Sequence, residues 1–265
     1  GSVVMTRAGL GPLRAIVCGF EKSGTTLLNE ILRRSPHLDS GFECGFLLGK
    51  SPREFRQIQP YFHFFQNGWN VSKETLLEII DTDDWDECYK RALLYSPLIG
   101  DKSVDLFDKT PAYMLHLNDV LNRAPAIPCV VCVRDPRSLM LSWSRWSNHA
   151  LDAEAWISEN FDELTERFLS YAQGYTEALK LHKDRVFISQ HELMCLNPTQ
   201  QCKAIFSFLG YPFSEEFLTF SSRHFVYGNE VSKDYLAPYH GFLSKELCDR
   251  ILSATRAYAS WHYNG

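Results

Sequence analysis

The stretch Leu13-Arg-Ala-Ile-Val-Cys-Gly-Phe-Glu-Lys-Ser-Gly-Thr-Thr26 decides the fold. Leu13 to Gly19 is a short apolar run ending in glycine, and Phe20 to Thr26 follow as a glycine-bearing loop. Beyond the loop, Leu27, Leu28, Ile31 and Leu32 fall on one helical face, and Asn29, Glu30, Arg33 and Arg34 fall on the other. The pattern is strand, loop, amphipathic helix, with the helix stopping before Pro36, which disfavours helical geometry in the residue ahead of it. Successive backbone N–H groups of a loop entering a helix form an anion cradle, and the helix dipole adds about half a positive charge there. Phosphate is the natural ligand. The spacing Gly19-x4-Gly24 is close to the nucleotide P-loop, but that motif puts its lysine directly after the second glycine, where this chain has Thr25. Here the lysine lies inside the loop, as Lys22.

A second unit of the same kind begins at Ile127 to Val133, a β-rich apolar run followed by Arg134-Asp-Pro136 and a helix carrying Leu139, Met140, Trp143 and Trp146. Asp135 and Pro136 suit the N-cap and first helical position. Residues 161–182 read as a helix with Phe161, Leu164, Phe168, Tyr171, Tyr175, Ala178 and His182 on one face. Arg185 to Ser189 reads as another buried strand, and a helix from Asn197 stops at Gly210. Leu243, Leu247, Ile251, Ala254 and Tyr258 mark the last helix, and residues 221–242 have no period and read as a long functional loop. Strands alternating with helices predict a single α/β domain over 1–265, a P-loop-like parallel sheet flanked by helices. Residues 45–104, aromatic-rich with helical stretches near 72–80 and 84–95, read as an insertion that shapes an acceptor pocket, its aromatics being equally compatible with an apolar or sugar-stacking lining and with core.

The chain has 265 residues, 45% hydrophobic and 22% charged, which suffices for a sizeable core and excludes disorder, collagen-like repeats and a coiled coil. With 27 Lys+Arg against 32 Asp+Glu the formal net charge is -5, which argues against nucleic acid or an anionic membrane as a partner, though not against a small anionic ligand. The cysteines at 18, 44, 88, 129, 132, 195, 202 and 248 sit mostly in apolar runs and read as reduced thiols in a cytoplasmic setting. Cys129 and Cys132 have metal-site spacing, but residues three apart on a strand point to opposite faces, so they read as core. No apolar stretch reaches the roughly 18–20 residues of a membrane span. Gly1-Ser2 resembles the remnant of a cleaved tag, so residues 1–12 read as remnant plus flexible N-terminus, ahead of which an anchor or leader is not excluded.

Several of these segments resemble one family. Glu21-Lys-Ser-Gly-Thr-Thr26 is similar to the 5′-phosphosulfate-binding loop of sulfotransferases, and Val131-Cys-Val-Arg-Asp-Pro-Arg-Ser-Leu-Met-Leu-Ser142 to their 3′-phosphate-binding segment. In the second, an arginine at a strand end offers a forked donor, and a serine two helical turns on can donate to the same anion. Phe107-Asp-Lys-Thr-Pro-Ala-Tyr113 is similar to the Lys-Thr/Ser-Pro-x-Tyr segment of glycan-modifying members, whose lysine enters the active site. Arg185 through Tyr211 follows the strand-then-helix pattern of the family's C-terminal half, with Gln190 where members often carry a tyrosine that acts around the nucleoside. No clear equivalent of the late Lys/Arg-Gly motif is found; Arg223 and Lys233 are available for that role.

The resemblance implies in-line transfer of a sulfuryl group from 3′-phosphoadenosine 5′-phosphosulfate (PAPS) to a hydroxyl or amine of a small-molecule or glycan acceptor, without a metal. Negative charge builds on the bridging oxygen as the S–O bond breaks, and a positioned ammonium stabilises it without reorganisation; Lys22 is assigned that role. Ser23, Gly24, Thr25 and Thr26 would hold the 5′-phosphate, and Arg134 and Ser142 the 3′-phosphate. Lys109 would contact the transferred group from the other side, unless it is a solvated surface lysine. A base must take the acceptor's proton. Cytosolic small-molecule members use a histidine where this chain has Pro111, whereas glycan members place a glutamate after the second strand, where Glu43 stands. A carboxylate with an ordinary pKa near ~4.3 is a weak base unless apolar neighbours raise it, and Phe42 and Phe46 are close enough in sequence to do so. The alternative roles of Glu43 are an ion pair or a helix start, with His37, His63 or His116 as substitute bases. Two other classes compete: a P-loop phosphotransferase or triphosphatase, which lacks its lysine here and has only Asp135 as a metal ligand, and a nucleotide-binding module that has lost catalysis. The acidic total favours a small or neutral acceptor over a polyanionic one.

Overall fold

In the computed structural model, which describes residues 10–219 and 238–259, the apolar run Leu13–Gly19 is the strand β1 at the centre of a five-stranded sheet. In chain order the elements are β1, α1 (Thr25–Leu32), β2 (Leu38–Asp39), α2 (Tyr61–Gly68), α3 (Lys73–Ile79), α4 (Trp85–Tyr95), β3 (Asp105–Lys109), α5 (Leu117–Arg123) and β4 (Cys129–Val133). They continue with α6 (Pro136–Trp146), α7 (Ala153–Glu159), α8 (Phe161–His182), β5 (Val186–Gln190), α9 (His191–Leu196), α10 (Pro198–Leu209) and α11 (Lys245–Ala259). Short 3-10 turns lie between several of them.

The strand order is β2-β3-β1-β4-β5, every pairing parallel, so the expected α/β sheet is present. Chain direction across the sheet reverses at β1, with β3 on one side and β4 on the other. In an open α/β sheet the crevice outside the carboxyl ends at such a reversal is where ligands bind. Register fixes what lies there: Val17 pairs with Lys109 and Gly19 with Cys132, which brings the ends of β1, β3 and β4 level.

Alternation along β1 divides the core. Ala15 and Val17 join Leu27, Leu28 and Ile31 of α1 and Ile205 and Phe206 of α10 on one face. Ile16 and Cys18 join Tyr113, Met140, Trp143 and the α8 residues Phe168 and Tyr175 on the other. Cys129 and Cys132 fall into different clusters, as strand geometry requires, and all eight cysteines are free thiols. The second unit forms as expected: the Asp135 carboxylate accepts from the Arg137 N–H at 2.9 Å, and Pro136 opens α6. The α10 helix stops at Gly210, in the left-handed conformation at φ 84°.

Three expectations need correction. Asn29 and Glu30 do not form a solvated face of α1 but are buried; Glu30 bonds Arg33 at 3.0 Å, which also reaches Asp39 at the end of β2. The β5 strand is half-buried rather than buried, since it is the edge of the sheet. Trp146 leaves the apolar stripe of α6 and is 54% exposed. Residues 45–104 also carry a helix, α2, beyond the stretches expected there, and Phe46, Phe55, Phe65, Trp69 and Tyr89 pack in the core. The loop expected at 221–242 falls largely outside the described residues, as do Arg223, Lys233 and residues 1–9. Among the described residues no helix is long and apolar enough to cross a membrane.

Candidate functional site

The loop after β1 is built tightly. Gly19 lies so close to the Cys132 carbonyl that a Cβ would collide with it. The Ser23 hydroxyl turns back onto the Phe20 carbonyl, and the Trp143 indole N–H donates to the Glu21 carbonyl at 2.9 Å. Lys22 adopts φ +68°, an unusual left-handed conformation for a residue with a side chain, and is held by Arg134, whose Nη1 donates to its carbonyl at 2.8 Å. Strain of this kind persists only where the surroundings over-determine it. Gly24 follows at φ 94° as the N-cap of α1, with no side chain capping the helix. The first N–H groups of α1, from Thr25 and Thr26 onward, therefore point toward the loop without intrahelical partners. Thr25 is buried and Thr26 half-buried.

The other expected residues converge on the same edge of the sheet. Arg134 follows β4 and is 4% exposed. Ser142, half-buried, stands one turn of α6 before Trp146, whose ring carries the Lys22 ammonium 4.6 Å from its centroid. Lys109 ends β3 and is fully buried, so the solvated-surface alternative fails. Its ammonium faces the Glu43 carboxylate at 3.6 Å and the Phe42 ring at 4.2 Å, and makes no hydrogen bond. Burial pulls the Lys109 pKa down, opposed by the negative charges of Glu43 and, more weakly, Glu30. Glu43 is thus in an ion pair, one of the two alternatives to a base, and meets a cation rather than the apolar shell expected from Phe42 and Phe46. Phe42 covers the lysine, and Phe46 is stacked in the core on Phe65. His37 lies before β2, on the opposite edge of the sheet, and His63 and His116 are exposed on other elements.

Two residues that the sequence reading passed over belong to this site. His191, the residue after Gln190, is 2% exposed, and its Nδ1 has no hydrogen-bond partner. A Cβ on Gly24 would come within 2.8 Å of that nitrogen, so the ring faces the N-terminus of α1. Burial, and then the charge of Arg134, hold its pKa well below the usual histidine range, and the imidazole is neutral. Its neighbour Glu192 accepts the Asp135 N–H at 2.9 Å, which ties the turn after β5 to the turn after β4. Glu21 is the second. Burial raises its pKa; Arg167 and Lys22 oppose the rise and the charge of Glu43 adds to it. Both lie within segments matched to the family, Glu21 at the start of the loop and His191 between Arg185 and Tyr211, where no sequence signal singles out either.

The loop fits a phosphate-bearing ligand. It offers an uncapped helix N-terminus, a glycine whose Cβ would fill the cradle, a buried imidazole nitrogen without a partner, and a lysine and an arginine on either side. Among the described residues no group of three or more His, Cys, Asp or Glu side chains is placed to hold a metal ion.

Comparison with known proteins agrees with this geometry. A family model described as the sulfotransferase family matches residues 14–215. No curated protein matches the chain in sequence. Among solved structures, the chain is similar to the sulfotransferase domain of the Synechococcus PCC 7002 olefin synthase, at 15% identity, covering 96% of this chain and 95% of that one with a TM-score of 0.69. It is also similar to the sulfotransferase domain from the curacin biosynthetic pathway, at 17% identity over 93% and 98% of the two chains with a TM-score of 0.61. A mouse sulfotransferase solved in complex with PAP is a further neighbour, at 13% identity over 94% and 89% with a TM-score of 0.50. At such identities the likeness is one of fold.

Proposed function

Because this chain belongs to the sulfotransferase family, we propose that it transfers a sulfuryl group from PAPS to a hydroxyl or amine of a small-molecule or glycan acceptor. The observation that carries the reading is the gathering of Lys22, Glu43, Lys109 and Arg134 around one uncapped helix N-terminus at the reversal point of the sheet. PAPS supplies an activated sulfuryl group on a phosphate leaving group.

The residues of the chain do the rest. Gly24, Thr25 and Thr26 offer backbone N–H groups, with the dipole of α1 behind them, to the 5′-phosphate, and the Ser23 N–H and hydroxyl keep the loop folded by bonding Phe20. Arg134 and Ser142 hold the 3′-phosphate. Lys22 leaves the Trp146 ring to meet the charge that develops on the departing oxygen. Lys109 stabilises the sulfuryl oxygens from the β3 side. Glu43 takes the proton of the acceptor, whose oxygen or nitrogen forms the new bond to sulfur as the bond to the leaving group breaks. The ion pair with Lys109 supports this by orienting the carboxylate.

The PAP-bound neighbour supports PAPS as donor. Tyr61 of α2 lies against Gly45, two residues beyond Glu43, which supports a role for residues 45–104 in bounding the acceptor. The free thiols support a reducing, cytoplasmic compartment. Isothermal titration with adenosine 3′,5′-bisphosphate, with and without EDTA, tests the reading. Saturable binding indifferent to the chelator is expected; absence of binding, or strict dependence on Mg2+, overturns it in favour of a P-loop phosphotransferase. Radiolabelled PAPS offered with neutral sugars, hydroxy acids and primary amines then identifies the acceptor class.

A further inference from the structure

Asp108 takes no part in the mechanism above, yet it is 1% exposed and its carboxylate accepts three hydrogen bonds. Tyr89 and Tyr113 donate to Oδ2 at 2.6 and 2.7 Å, and Thr110 donates to Oδ1 at 2.8 Å. Two of these donors act onward. The Thr110 hydroxyl accepts from the backbone N–H groups of Cys44 at 3.2 Å and Gly45 at 2.9 Å, and the Tyr113 hydroxyl accepts from the Leu47 N–H at 3.0 Å. The direction of each bond follows from the amides. A hydroxyl that receives an N–H gives its own hydrogen elsewhere, and among the described residues the acceptor offered to both is the Asp108 carboxylate.

The three amides belong to the segment that begins directly after Glu43. On β3 consecutive side chains point to opposite faces. Lys109 therefore addresses the side chain of Glu43 while Asp108, from behind the sheet, addresses the backbone that follows it. Burying a carboxylate is costly unless its acceptor positions are filled, and here three short bonds fill them.

We propose that Asp108 is a positioning residue for the transfer: acting through Thr110 and Tyr113, it fixes the Cys44–Leu47 backbone and so sets the Glu43 carboxylate against Lys109. The inference rests on the reading of Glu43 as the base. It accounts for the aspartate in Phe107-Asp-Lys-Thr-Pro-Ala-Tyr113. An asparagine would serve poorly, since its NH2 would face either Thr110 or the two tyrosines, and both sides require an acceptor.

The test is a double-mutant cycle between Thr110→Val and Glu43→Gln, with turnover measured on the fastest acceptor of the panel, bisphosphate affinity by titration and thermal midpoints for all proteins. Thr110→Val removes the relay with little change of shape. It is expected to lower kcat roughly 10- to 100-fold, as a displacement near one ångström does, while bisphosphate affinity stays within about threefold. Thr110→Ser restores the rate. In the Glu43→Gln background Thr110→Val costs nothing further. A crystal structure of Thr110→Val with bisphosphate shows Glu43 moved away from Lys109. Tyr113→Phe, which removes the bond to Asp108 together with the link to Leu47 and leaves the Thr110 limb in place, gives the same pattern in smaller degree and substitutes if Thr110→Val does not fold. Equal losses of kcat with and without the Glu43 carboxylate, or an unmoved Glu43 in the structure, overturn the proposal. A wild-type rate in Glu43→Gln removes the base and the proposal with it, while saturable bisphosphate binding leaves the sulfotransferase reading standing.

Discussion

Replacing Lys109 by methionine separates function from stability. The ammonium is fully buried, makes no hydrogen bond, and has one carboxylate at 3.6 Å and one ring face at 4.2 Å. Removing one member of a buried pair normally costs about 3–5 kcal/mol, because the other charge is stranded. Here the other member is 22% exposed in its side chain, so water can take over the Glu43 carboxylate. The desolvation of the ammonium, several kcal/mol in buried settings, is relieved at the same time, and methionine fills a similar volume. The net expectation is a stability change between zero and about 2 kcal/mol in favour of the variant, a rise in thermal midpoint of up to roughly 4 °C. Turnover should fall about 10²- to 10³-fold, the usual consequence of removing one charge-stabilising donor from an active site. Urea and thermal unfolding beside steady-state rates from PAPS give both numbers. A variant destabilised by more than about 3 kcal/mol with its turnover intact would show that Lys109 is a structural ion-pair partner and refute the reasoning.

Lys22→Ala is expected to lose turnover by at least about 10²-fold while binding bisphosphate within about threefold of wild type; equal rates at saturating PAPS would refute the assignment. Arg134→Ala should weaken bisphosphate binding by roughly 10- to 100-fold, the worth of a charge-assisted hydrogen bond, and an unchanged dissociation constant by titration would remove Arg134 from the site. Gly24→Ala meets both the His191 nitrogen and a left-handed backbone, so bisphosphate binding is expected to be lost together with about 1–2 kcal/mol of stability; normal binding would show that the cradle lies elsewhere. His191 gives a pH signature. Its folded-state pKa is depressed, so the unfolded chain takes up a proton near pH 6.5 while the folded chain does not, and stability falls as pH drops below that value, by at most about 1.4 kcal/mol per unit. His191→Asn should flatten that slope in urea titrations at pH 7.5, 6.5 and 5.5; parallel curves for the two proteins would show that the ring is not the source.

What the sequence made legible is what sits in contiguous patterns. The apolar run into Gly19, the loop to Thr26 and the Arg134-Asp-Pro136 turn each carry strand, loop and helix signals within a dozen residues, and all formed where expected. What stayed hidden depends on partners far away in the chain. Glu30 looked solvent-facing because neither Lys109 nor the turn of Arg33 toward Asp39 is visible from its own neighbourhood. His191 carried no role in the sequence because only the pairing of β5 beside β4 brings it to Gly24. Trp146 kept the spacing of a core residue, yet its ring carries Lys22 outside the core. The Asp108 network joins residues 44 to 113, and no local period encodes it.

The parallel sheet that collects every reactive group at one edge leaves the opposite edge as a handle. Gly100, in the turn leading to β3, is exposed, and a side chain placed there would meet nothing within 4 Å. Seven of the eight native thiols are buried, so a single cysteine introduced at that position would be the favoured point of attachment for a dye, a spin label or a surface. A protein tethered there would keep its Lys22 edge turned away from the support, and movements of the loop around Lys22 become observable from a distance without touching it.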